Sequence, residues 1–97
     1  MAIFAVWAQF TNHEERLKMR PTHRVYLAEL LDKGKLVSSG PFKDDTGALL
    51  IYEAADEAEV RQLMADDPYA TVGAIGSCEI KEWNRVFAQP TEEIRPS

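Results

Sequence analysis

Two segments of this chain are apolar on both faces at once, and that pattern limits the fold more than any other feature. Ala2 to Phe10 is rich in strand formers and stops at the Thr11-Asn12 turn signal. Alternate residues give Phe4, Val6, Ala8 and Phe10 on one side and Ile3, Ala5, Trp7 and Gln9 on the other. A later strand repeats the pattern, with Ala48, Leu50 and Tyr52 against Leu49 and Ile51. A strand with one wet face should alternate apolar and polar residues, so both faces here must be covered. With 97 residues the chain makes one small domain. Such a domain buries only about 60 to 65% of its unfolded surface. Cys78 is the single cysteine, which rules out an intrachain disulfide or a cysteine zinc cluster. His13 and His23 do not stand at a metal-ligand spacing, so no metal site is expected. The remaining cover is a second copy of the chain packed sheet against sheet, a homodimer.

The rest of the chain supplies the elements in order. A helical stretch covers Glu14 to Asp32, with the main helix expected to begin near Pro21, because proline fits a first turn and kinks an interior. Gly34 is the stop. Leu36 to Gly40 and Gly47 to Tyr52 read as a hairpin with an elaborated turn. Asp56 with Glu59 three positions on resembles a capping box, starting a helix that the Asp67-Pro68 step ends. Ile75 to Trp83 is the last strand. The order βαββαβ predicts an α+β, ferredoxin-like sandwich over residues 1–88, followed by a polar tail, residues 89–97.

Charge excludes some functions. The net charge is 11 − 16 = −5, and no base-reading motif is present, so nucleic acid is not an expected partner. The longest stretches without an acidic residue, lysine or arginine, Met1 to His13 and Pro68 to Cys78, both fall short of the roughly 18 residues of a membrane span. The apolar N-terminus lacks a basic leader region and a small-residue cleavage site, and with a free thiol the expected location is cytoplasmic. From Thr11 to Lys35 six basic residues face four acidic ones, whereas from Leu36 to Ala70 two face eight.

Helical spacing singles out two residues. His23 is followed at four and seven positions by Leu27 and Leu30, which sets the imidazole on the buried stripe, with Arg20 a turn earlier. Asp67 stands seven positions after Val60, where the stripe Val60, Leu63, Met64 calls for an apolar residue. If the two meet, the carboxylate orients the imidazole and stabilises its protonated form, which makes His23 a proton acceptor. Ser39, Gly40 and Pro41 would supply nearby hydroxyl and backbone groups, and Phe42, Tyr69 and Trp7 flat apolar walls. Both residues also have plain structural readings, a satisfied core histidine and a turn-forming aspartate before proline. Arg16, Lys18, Arg20 and Arg24 read as a solvated basic face, although Arg20 shares the His23 side and can steer an anion.

Arg20-Pro-Thr-His23, Tyr26 with Leu30, Gly34 with Leu36, Ser39-Gly-Pro41, Gly47, Asp66-Asp-Pro-Tyr69 and Gly73 together resemble the YciI-like, YCII-related family. The resemblance runs to Asn84. It implies a ferredoxin-like fold that dimerises as an α/β barrel, with a histidine and an aspartate as catalytic dyad, carried over to His23 and Asp67. Ser39, Gly40, Pro41, Phe42, Pro68, Tyr69, Trp7 and Arg20 would then form the substrate pocket. The family includes a cofactor-independent lyase, a dehydrochlorinase that eliminates chloride from a chlorinated trihydroxybenzene. The function so implied is elimination or isomerisation of a small phenolic or cyclic substrate. A non-catalytic ligand-binding or regulatory dimer remains open, as does a dimeric α/β-barrel monooxygenase. For the latter His13 and His23 are the available axial ligands, and no haem motif is present.

Overall fold

A computed structural model describes residues 1–88, and the predicted polar tail lies outside the described residues. The elements are β1 (Ala2–Phe10), α1 (His13–Asp32), β2 (Leu36–Pro41), β3 (Gly47–Ala54), α2 (Glu57–Ala65), α3 (Pro68–Thr71) and β4 (Ile75–Glu82). The sheet order is β2-β3-β1-β4, with every neighbouring pair antiparallel. This is the ferredoxin-like α+β arrangement expected from the element order.

The two central strands make the core. Phe4, Val6 and Ala8 of β1 lie opposite Tyr52, Leu50 and Ala48 of β3, and all six are buried beneath the helices with Leu30, Leu36, Ala54 and Val60. Gly47 is required where these strands meet, because a Cβ there would stand 2.3 Å from the Ala8 carbonyl oxygen. The opposite face carries Trp7, 59% exposed, and Leu49, 43% exposed, beside Ile3, Ala5 and Ile51. The doubly apolar character of β1 and β3 is therefore real, and among the described residues the face opposite the helices is left partly uncovered, with Trp7 and Leu49 open although Ile51 is buried.

α1 departs from expectation. It runs unbroken from His13, with Pro21 inside it. Proline removes the bond to the Leu17 carbonyl, but Leu17 and Pro21 are both exposed, so the helix has its missing bond on the solvent side, where it costs least. The helix ends as Gly34 predicts. At φ 75° its N–H reaches the Leu31 carbonyl, while Lys35 N–H reaches that of Leu30, closing a Schellman motif.

α2 starts as expected, with Asp56 accepting from Glu59 N–H at 2.9 Å, while the Glu59 side chain reaches back to Ala55 N–H at 2.7 Å. The Asp67-Pro68 step, however, is a beginning as much as an end. Asp67 caps the four-residue α3, accepting from Tyr69 N–H at 2.9 Å, with Pro68 at the first helical position. No helix among the described residues is long and apolar enough to cross a membrane.

Candidate active site

A cavity of about 900 Å³ opens between α1, the β2–β3 loop and the helix-facing side of the sheet. Its lining includes Arg20, His23, Ser39, Gly40, Pro41, Phe42, Asp67 and Tyr69. The sequence singled out each of these. α1 delivers Arg20 and His23, β2 delivers Ser39, Gly40 and Pro41, and the α2–α3 junction delivers Asp67 and Tyr69.

His23 and Asp67 meet. Nδ1 lies 2.8 Å from Asp67 Oδ1, with the His23 side chain 14% exposed and Asp67 4% exposed as a residue. A carboxylate only accepts, so Nδ1 donates this bond, and in the neutral ring Nε2 holds the lone pair. Asp67 Oδ1 is fixed independently by Tyr69 N–H. The Tyr69 ring lies flat on the imidazole, 3.7 Å between centroids and 4° between planes. Phe10 meets Tyr69 edge-on at 5.9 Å, and the Arg16 guanidinium covers Phe10 at 4.2 Å. Four side chains thus form one column from the proton-bearing imidazole to a buried cation.

Two assignments need correction. Trp7 is no wall of this cavity. It points to the opposite face, where it meets Phe42 edge-on at 5.5 Å. Pro68 is not on the lining either, since its work is to start α3 behind Tyr69. A third reading also changes. Arg16 belongs to no solvated face: it is 1% exposed, donates to Asp45 at 2.5 Å and to His13 Nδ1 at 2.9 Å, and lines the cavity. Its Nε is buried with no partner. The signal for it was available, because Arg16, Arg20 and His23 follow at four and seven positions, as Leu27 and Leu30 do after His23. Cys78, the single cysteine, is exposed.

Two tyrosines flank the carboxylates. Burial pushes the Tyr52 phenol up from its ordinary range, and the Asp67 charge adds to this. Tyr52 lines the cavity from β3. Tyr26 is pushed up to about 12 by burial and by Asp66 and Asp67, and its hydroxyl donates to the Leu63 carbonyl at 2.6 Å. Both phenols therefore keep their protons at neutral pH.

Residues 2–84 match the YCII-related domain. Protein YciI of Escherichia coli is 30% identical over 97 aligned residues, covering 88% of this chain and 99% of that protein, and the Shigella flexneri YciI matches to the same extent. The derivative of benzaldehyde biosynthesis cluster protein C of Emericella nidulans is 32% identical over 73 residues, 64% of this chain and 74% of that one. Among solved structures, 5-chloro-2-hydroxyhydroquinone dehydrochlorinase (TftG) from Burkholderia phenoliruptrix, complexed with 2,5-dihydroxybenzoquinone, superposes with a TM-score of 0.73 at 26% identity, covering 84% of this chain and 92% of that one.

Proposed function

Since this chain belongs to the YCII-related family, we propose that it is a small-molecule lyase of dehydrochlorinase type, acting on a small hydroxylated ring. His23 is the proton-transfer group and Asp67 its orienting partner. The observation that carries this reading is the 2.8 Å contact between Nδ1 and Asp67 Oδ1, which leaves Nε2 as the basic nitrogen of a residue on the cavity wall. Support comes from the dehydrochlorinase neighbour and its quinone ligand.

Elimination suits these groups. The chlorine-bearing ring carbon takes up a proton as one hydroxyl gives up its own, and Nε2 then accepts the proton of a second hydroxyl as the carbon–chlorine bond breaks with its electron pair on chloride, leaving a hydroxyquinone. The net loss is HCl, so atoms and electrons balance without an oxidant. Asp67 stabilises the imidazolium as it forms, and the Tyr69 ring keeps the imidazole from rotating. Ser39, Gly40, Pro41 and Phe42 shape the opposite wall, and Arg20 stands beside the dyad.

The test is chloride release from a panel of halogenated hydroxyhydroquinones by the wild type, His23→Ala and Asp67→Asn. Both variants should lose turnover. Unchanged release in both removes the dyad from the chemistry. Binding without release at any pH makes the protein a ligand-binding module.

The exposed face of the sheet is assigned to a second copy of the chain. Trp7 and Leu49 lie at its centre, and Glu79 and Lys81, opposite Trp7 and Ala5, place both signs of charge on one face, as a self-complementary two-fold contact requires. Sedimentation at micromolar concentration should give a dimer, and Trp7→Lys a monomer. A wild-type monomer ends this assignment.

A further inference from the structure

The cavity lining carries four cationic side chains, Arg16, Arg20, Arg24 and Lys43, and two carboxylates, Asp45 and Asp67. With His23 uncharged the local balance is 4 − 2 = +2, in a chain of net charge −5. Both carboxylates are already engaged, Asp45 by Arg16 and Asp67 by His23. Among the described residues six cations have no ion-pair partner, Arg20, Arg24, Lys33, Lys43, Lys81 and Arg85, and three of the six line this one cavity. The charge is thus unbalanced where the cavity is.

The fold also holds these cations in an arrangement unfavourable to itself. Arg20 and Arg24 are one helical turn apart, where like charges repel. Lys43 comes from the β2–β3 loop, and that loop is tied to α1 by the buried Arg16–Asp45 pair, with Asp45 held at φ 61°, a left-handed conformation uncommon outside glycine. The Arg16 clasp therefore brings a third positive charge to a wall that already has two. An anion in the cavity relieves all three.

We infer that the ring bound here carries a full negative charge at neutral pH, as a carboxylate or an ionised enolic hydroxyl, and that Arg24 and Lys43 join Arg20 in selecting for it. This rests on the cavity being the substrate site. Each cation acts across a few ångströms at a partly wet mouth, so the combined preference for an anion over its neutral counterpart should be at least about ten-fold at low salt. It should fade as the screening length falls below the span of the mouth.

The experiment is calorimetric titration of the full chain with 2,5-dihydroxybenzoate, its neutral methyl ester and 2,5-dihydroxybenzoquinone. The wild type should bind the benzoate or the quinone at least about ten-fold more tightly than the ester. Which of the two prevails separates carboxylate from ionised hydroxyl. In Arg24→Gln/Lys43→Gln the preference should shrink towards equality while the ester binds as before. Equal binding of charged and neutral probes by the wild type, a preference untouched in the double variant, or no binding of any probe overturns the inference. If the preference is present but no halogenated ring releases chloride, the elimination reading falls and this one stands. If chloride is released without any charge preference, the reverse holds.

Discussion

Asp67 does two separable things with one oxygen, and a pair of substitutions can divide them. Oδ1 accepts both from Tyr69 N–H, capping α3, and from His23 Nδ1. In Asp67→Asn the amide oxygen can accept both bonds, so the change in stability should stay within about 1 kcal/mol. What is lost is charge: a charge-assisted bond is worth about 1.5 to 3 kcal/mol to an imidazolium, which slows proton transfer by about 10- to 100-fold. Asp67→Ala removes the cap as well, at about 1 kcal/mol, and leaves a mostly buried imidazole N–H without a partner, at about 1 to 3 kcal/mol. The sum, about 2 to 4 kcal/mol, lowers the melting midpoint of so small a domain by about 10 to 30 °C. Thermal and urea unfolding at one chain concentration, read by circular dichroism, measure it. Equal losses in the two variants would falsify the division, because the charge would then be what holds the fold. A gain of stability in Asp67→Ala would refute the account at its root.

Three further outcomes are expected. Gly47→Ala drives a methyl against the Ala8 carbonyl, so β1 and β3 must move apart, and the urea midpoint should fall by an amount equivalent to about 1 to 3 kcal/mol. Arg16→Met leaves Asp45 without its partner and uncovers the Phe10 ring. A loss of about 1 to 3 kcal/mol in chemical denaturation should result, less than for a fully buried pair because Asp45 is partly exposed, and an unchanged midpoint would show that the clasp contributes nothing. Tyr26 ionises near pH 12 when folded and near pH 10 when unfolded, so its contribution is intact below about pH 10 and is lost as pH rises towards 12. A melting series across that window should decline less steeply in Tyr26→Phe than in the wild type.

The element order and the contact of His23 with Asp67 were legible because each left a pattern of its own period, and the misreadings arose where one pattern allowed two readings. Alternation marked β1 and β3, but with both parities apolar it could not say which faced the helices, and Trp7 was assigned to the cavity although it lies on the other side. Pro21 reads in the sequence as a helix start, which cuts Arg16 from the stripe that Arg20 and His23 continue. About two further turns of helix, His13 to Arg20, solvated on the proline side, are what restore it. The Asp67-Pro68 step carried two compatible meanings, a stop for α2 and a cap plus first residue for α3. The stripe nevertheless placed Asp67 on the inward side, because α3 begins before the chain has turned away from α1. Arg24 and Lys43 left no mark, since an exposed cation gains its meaning only from which carboxylates fail to approach it.

The edge contact between Trp7 and Phe42 crosses from the outer face of the sheet to the cavity wall. A ligand that displaces the Phe42 ring alters the surroundings of an indole it never touches, so occupancy is readable as a change in tryptophan emission with no label attached. Linkage makes the relation reciprocal. A second copy that closed over Trp7 and shifted Phe42 would change the affinity of the cavity by the same factor that the ligand changed the closure. In the proposed dimer, diluting the protein would then titrate its binding site.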